Sequence, residues 1–237
     1  MTMLFLTILA AIGVALAIRN PLRAHPFPFY ALALVADALT LYGAPVLGFS
    51  TANSPVWAMF YGLMRRAIPA FALFTVVMFV GCCRNGSRGK RWLAPVRAEL
   101  SILACLLSIP HIVFYLQTYD KIMFGGIVQP TQITYNAYWF SVLLTVVLGV
   151  LGVLSISLIR RHMRYGLWKA IQRLAYPFFV MAYIHVVLVR LRPNPDAFDT
   201  VLQSTVAYGF FVVVYLLARV RRWVLDRRGK SSAAASA

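Results

Sequence analysis

Acidic side chains are scarce in this chain: six Asp and Glu stand against 23 Lys and Arg in 237 residues, a net charge of +17. Charge of either sign is sparse, at 12%, where a soluble domain carries about 25%. Long polar stretches are missing, and a soluble domain is excluded with them. No GxGxxG follows a strand and there is no Walker A loop, so the chain offers no FAD or NAD site. Cysteine is limited to Cys82, Cys83 and Cys105. None falls in a predicted external loop, which argues against a structural disulfide. Cys82 and Cys83 lie beside Arg84 at a helix end, where acylation is conceivable but two unmodified thiols are the simpler reading.

What remains is apolar. Hydrophobic residues make up 61% of the chain and the mean hydropathy is +0.77. A bilayer needs roughly 20 apolar residues per helical span, and backbone groups in lipid must be satisfied within the segment, which selects helices over open sheet. Apolar runs predict seven spans, at about 2–18, 27–48, 56–82, 98–118, 137–159, 169–190 and 199–219. The expected fold is an all-α integral membrane bundle of about seven transmembrane helices.

The basic residues explain themselves once the chain is placed in a membrane. In a soluble protein a charge of +17 would point to nucleic acid, but no DNA- or RNA-binding motif accompanies it. Arg19 and Arg23, the segment Arg84–Arg97, the segment Arg160–Lys169, and the tail from Arg219 to Lys230 all fall on one side of seven spans. The positive-inside bias makes that side the cytoplasm. The N-terminus is then outside and the C-terminus cytoplasmic. The opposite loops, 49–55, 119–136 and 191–198, are polar or mildly acidic, apart from Arg190 and Arg192. The first run lacks a preceding basic region, so it reads as an uncleaved helix and not as a signal peptide. The tail, 221–237, is basic and low in complexity at its end, and reads as disordered.

Four histidines are present. His25 and His162 fall in basic loops and read as solvated. His111 and His185 fall inside spans, where an ionisable residue is costly and is a functional hypothesis by default. His111 lies about 21 Å along its helix from Arg97, and His185 about 18 Å along its helix from Arg173. Both helices run outward, so the two imidazoles sit at matching depth in the outer half of a core about 30 Å thick. Two imidazoles facing one another in a bundle suit bis-histidine haem ligation. Zinc would want further ligands, and no Cys, Asp or Glu lies at that depth on these helices. The alternative is two core histidines hydrogen-bonded to backbone carbonyls.

The surroundings of these histidines resemble a known family. Residues 97–118, RAELSILACLLSIPHIVFYLQT, resemble the segment of the ferric reductase-like transmembrane family in which a basic residue and E-L-G-I/L-L precede H-x3-Y. Residues 168–189, WKAIQRLAYPFFVMAYIHVVLV, resemble its W-x2-L-H-x-L-x-Y-x8–9-H segment, and residues 62–75, GLMRRAIPAFALFT, its G-R-x-A segment. Within that family the chain is most similar to the haem-binding membrane subunits of bacterial periplasmic methionine-sulfoxide reductase systems. The resemblance covers residues 27–220 as a six-helix core, with 1–26 as an additional N-terminal helix and loop. It implies b-type haem held by histidines on two helices, usually two haems stacked across the membrane, and a multi-pass protein of a bacterial cell membrane. His111 and His185 match the outer ligand pair. Gln172 stands where the family pattern has a second histidine, so the resemblance implies one haem b here. A site using His25 or His162 stays open.

Further residues complete the reading. Arg65 and Arg66 fall inside the third span and would suit haem propionates, with Arg66 on the G-R-x-A match. Snorkelling to headgroups is the equal alternative. Asp37, the only acid well inside a span, pairs with an arginine or handles a quinol proton. Pro110 and Pro177 each remove a helical hydrogen bond near the proposed site. Gly149, Gly152 and Ser155 form a small face for helix packing. Tyr119, Tyr135, Tyr138 and Trp139 read as an interfacial belt, or as a lid over the site.

The expected function is a membrane b-type cytochrome, an electron-transfer subunit with no catalytic domain of its own. An iron about 20 Å from the cytoplasmic loops favours membrane quinol as donor over a cytoplasmic reductase, and an extracytoplasmic redox protein as acceptor. The competing expectation is a haem-free membrane anchor or assembly partner for an extracytoplasmic enzyme. A retinal protein is excluded because the span 199–219 has no lysine. A transporter is disfavoured because the chain lacks paired broken helices in two matching halves.

Overall fold

The computed structural model describes residues 2–126, 129–190 and 198–235. Among these, every regular element is helical. The first two helices are α1 (Thr2–Ala24) and α2 (Pro26–Leu47), followed by α3 (Pro55–Arg65), α4 (Ile68–Val80) and the short α5 (Arg88–Leu93). After a 3₁₀ turn at Ala94–Val96 come α6 (Arg97–Leu106), α7 (Ile109–Phe124) and α8 (Gln132–Val153). The last four are α9 (Ser157–Arg161), α10 (Tyr165–Gln172), α11 (Ala175–Arg190) and α12 (Phe198–Ala235). Five stretches are long and apolar enough to cross a membrane, and a sixth is formed if α3 and α4 count as one bent span. The seventh expected span, 199–219, lies within α12.

Three of the expected spans are interrupted at a proline, and the fifth ends as regular helix at Val153, short of the expected residue 159. A proline has no N–H and its ring crowds the carbonyl four residues back. Pro69 breaks the third span at Arg66–Ala67, so that α3 and α4 meet at 54° and Ala67 takes a left-handed conformation, φ 52°. Pro110 breaks the fourth at Leu107–Ser108 and Pro177 breaks the sixth at Arg173–Leu174. Helix α7 also continues through residue 119 to Phe124, so Tyr119 lies on α7 and Tyr135, Tyr138 and Trp139 on α8. The loop expected at 119–136 is therefore helical at both ends. Tyr119 and Tyr138 are buried against Ala137, while Tyr135 and Trp139 face outward. Most of the loop 191–198 lies outside the described residues.

The stretch 221–235, expected to be disordered, continues as helix in α12. Arg222 pairs with Asp226 one turn on, at 2.9 Å, an arrangement that supports an exposed helix.

The bundle has two main seams. Leu22, Val76, Val96, Leu100 and Ala104 join α1, α4 and α6. Phe71, Phe179, Ala207 and Tyr215 join α4, α11 and α12, with the rings of Phe71 and Phe179 stacked at 5.5 Å. Helix α8 packs on α11 through Leu144, Leu148, Leu151 and Phe178. It also approaches α6 closely at Gly152, where a Cβ would lie 2.8 Å from Cys105 Sγ; Gly149 faces open space. Large apolar residues such as Leu6, Leu9, Leu32, Val35 and Val146 point outward. Such a surface has lipid as its solvent.

The basic segments gather at one end. The Arg19 guanidinium sits 4.7 Å over the Trp92 ring, which joins the first basic segment to the second. Arg219 donates to Tyr176 Oη at 2.9 Å and to the Gly81 carbonyl at 3.5 Å, which brings α12 to that end.

Candidate functional site

His111 lies on the first turn of α7 and His185 in the middle of α11. Their ring centroids are 6.2 Å apart and their planes cross at 85°. Two histidines expected at matching depth on two helices thus lie in direct proximity. Two imidazoles bound to one metal ion through N–metal bonds of about 2.0 Å hold their centroids roughly 6 Å apart. Both rings are half-buried, and the His111 ring also meets Tyr115, one turn along α7, at 4.7 Å.

Each imidazole is held at the same nitrogen. His111 Nδ1 lies 2.9 Å from the carbonyl oxygen of Arg65. A carbonyl only accepts, so Nδ1 carries the hydrogen and donates. That carbonyl is free because its helical donor would be the N–H of residue 69, a proline. His185 Nδ1 lies 3.1 Å from Ser141 Oγ on α8. The Ser141 hydroxyl spends its hydrogen on the Ala137 carbonyl, 2.6 Å away, so its oxygen accepts from His185 Nδ1. Both rings therefore hold the tautomer that leaves Nε2 with a free lone pair. Histidines that bind metal typically donate their second ring nitrogen in this way.

Arg65 and Arg66, expected inside a continuous span, sit at the break between α3 and α4 with exposed side chains. The Arg65 guanidinium lies 6.0 Å from the Tyr61 ring centroid and 5.7 Å from that of Phe114.

Other candidates lie elsewhere. Asp37 is buried on α2, and neither carboxylate oxygen has a hydrogen-bond partner among the described residues. Of the two expected roles, pairing with an arginine is thus not formed among the described residues. His25 caps α2 and His162 caps α9; both are exposed, and His162 Nδ1 donates to the Leu158 carbonyl at 2.8 Å. Gln172 is the last residue of α10, at the break before α11. No group of three His, Cys, Asp or Glu among the described residues could hold a metal ion, so the histidine pair does not extend into a zinc-type site. Cys82, Cys83 and Cys105 are free thiols.

Pro69 and Ser141 were missed in the sequence. Pro69 could have been found, since it stands four residues after Arg65 in an apolar run. Ser141 could not, because nothing local links it to a residue on α11.

These features define a multi-pass helical membrane protein with a paired-histidine site in its interior. Residues 66–183 match the ferric reductase like transmembrane component family, and the chain belongs to that family. The matched stretch contains Arg66 and His111 and ends two residues before His185. Membership points to a role in membrane electron transfer. The chain is also similar to a protein of Treponema pallidum (strain Nichols) described as an uncharacterized protein, with 32% identity over 161 residues, 67% of this chain and 44% of that protein. The chain thus spans less than half the length of that relative. No solved structure matches.

Proposed function

We propose that this chain is a seven-span membrane b-type cytochrome that binds one haem b between His111 and His185. The observation that carries the reading is the shared tautomer: both imidazoles donate from Nδ1 and leave Nε2 free, at a centroid separation of 6.2 Å. Haem b, when bound, supplies one-electron redox chemistry at its iron. The chain supplies the rest. The Arg65 carbonyl and Ser141 Oγ hold the rings in orientation and raise their basicity as ligands. The surrounding apolar helices keep the dielectric low, one of the levers that sets a haem potential. Arg65 and Arg66 offer the positive charge that propionates need. Gln172 in place of a histidine leaves the family's inner position without a ligand.

In this reading the basic end is cytoplasmic by the positive-inside bias, the N-terminus is outside, and α12 is the seventh span. The pair then lies in the outer half of a cell membrane. Membrane quinol is the donor and an extracytoplasmic redox protein the acceptor, as in the methionine-sulfoxide reductase systems that the sequence resembles.

A reduced-minus-oxidised spectrum with a haem-to-protein ratio tests this directly. The expected result is a b-type spectrum with one haem per chain, lost in His111→Ala and in His185→Ala. A correctly folded, colourless protein would sink the reading and favour a haem-free membrane anchor for an extracytoplasmic enzyme.

A further inference from the structure

A cavity lies between the end of α2 and the start of α3. It has a volume of about 650 Å³, and its lining includes Leu39, Phe49, Ser54, Val56, Trp57 and Phe60. That volume falls in the range of small-molecule sites, roughly 300–1,000 Å³, which are apolar with a few placed polar groups.

Local sequence builds the cavity. Gly48 ends α2 in the left-handed conformation, φ 68°, and the Phe49 N–H returns to the Gly43 carbonyl at 3.0 Å. This turns Phe49 onto Trp57, with ring centroids 5.0 Å apart. Phe60 flanks the same indole at 5.5 Å. Ser54 caps α3 by accepting from the Trp57 backbone N–H at 3.3 Å. Gly43 lets the indole lie against α2, since a Cβ there would be 2.8 Å from Trp57 Cη2.

The indole has one unmet requirement. Trp57 Nε1 is buried and has no acceptor among the described residues, although a buried indole N–H normally finds one. From the same indole an aromatic run leads inward. Trp57 meets Tyr61 at 6.0 Å, and Tyr61 meets Phe114 at 5.8 Å, one turn along α7 from His111. Helix α3 itself connects the two places: Arg65, whose carbonyl holds His111, lies about 12 Å along the axis from Trp57.

We propose that this cavity binds the headgroup of a membrane quinone, with Trp57 Nε1–H donating to a ring oxygen. A flat, apolar ring bearing carbonyl or hydroxyl oxygens fits both the aromatic walls and the unmet donor. The proposal rests on the quinol reading above and gives it a location.

The test uses the purified full chain with haem bound, in lipid nanodiscs, and a short-tailed azido-benzoquinone as photoprobe. The expected result is labelling within residues 48–60, competed by unlabelled short-tailed quinone. Trp57→Phe, which keeps a ring and removes the N–H, weakens quinone binding about tenfold, the worth of one neutral hydrogen bond. Gly43→Ala, which pushes the indole into the cavity, weakens it at least as much, while the haem spectrum stays intact in both variants. Labelling elsewhere, or unchanged binding in both variants, overturns the site. Reduction of the haem by quinol with labelling elsewhere defeats the location and leaves the donor reading standing. Labelling within 48–60 without any reduction by quinol does the reverse.

Discussion

His111 Nδ1 donates to the carbonyl oxygen of Arg65 at 2.9 Å, an oxygen released from its own helix because residue 69 is proline. A defect in one helix is thus the orienting contact for a ring on another. Pro69→Ala restores an N–H that competes for that carbonyl. The expected outcome is loss of the His111 contact and haem affinity lowered about tenfold, in line with the loss of outer-shell partners at metal-binding histidines. Haem titration into the purified apo-protein measures it, and unchanged affinity would show that the Arg65 contact is dispensable.

Ser141 does for His185 what Arg65 does for His111, but through a side chain. Ser141→Ala removes the acceptor and should lower haem affinity about tenfold while keeping the b-type spectrum. Ser141→Thr keeps the hydroxyl and should restore it. The split between Ala and Thr, read together with the reduction potential, separates an orienting hydrogen bond from simple loss of packing.

Asp37 provides a contrast between a paired and an unpaired buried acid. Breaking a buried ion pair typically costs about 3–5 kcal/mol. With neither oxygen partnered, Asp37→Asn should leave thermal stability in detergent unchanged or higher. A loss of several kcal/mol would reveal an arginine partner.

The two glycines of α8 should respond in opposite ways. At Gly152 a new Cβ lies 2.8 Å from Cys105 Sγ, so Gly152→Val overpacks the contact of α6 with α8 and should cost about 1–3 kcal/mol. Gly149→Val points into open space and should be near neutral. A matched pair of melting curves decides it.

The bend at Ala67 gives a third stability test. A left-handed conformation costs a non-glycine residue roughly 1–2 kcal/mol, so Ala67→Gly should recover part of that cost and raise the melting temperature. No change would show that the left-handed conformation of Ala67 costs little here.

The lipid solvent of this chain, the helical nature of its spans and the placing of His111 and His185 on two of them were legible in the sequence, because each depends on local composition. The segregation of base to one end was legible for the same reason, and Arg19 over Trp92 realises it in space. The broken third span was within reach, since Pro69 acts on a carbonyl only four residues away. Only the tertiary structure decided that the freed carbonyl meets His111, that Ser141 accepts from His185, and that Asp37 has no arginine among the described residues. These are contacts between helices. They depend on how each helix is rotated and tilted against its neighbours, which packing over the whole bundle determines and no single segment encodes.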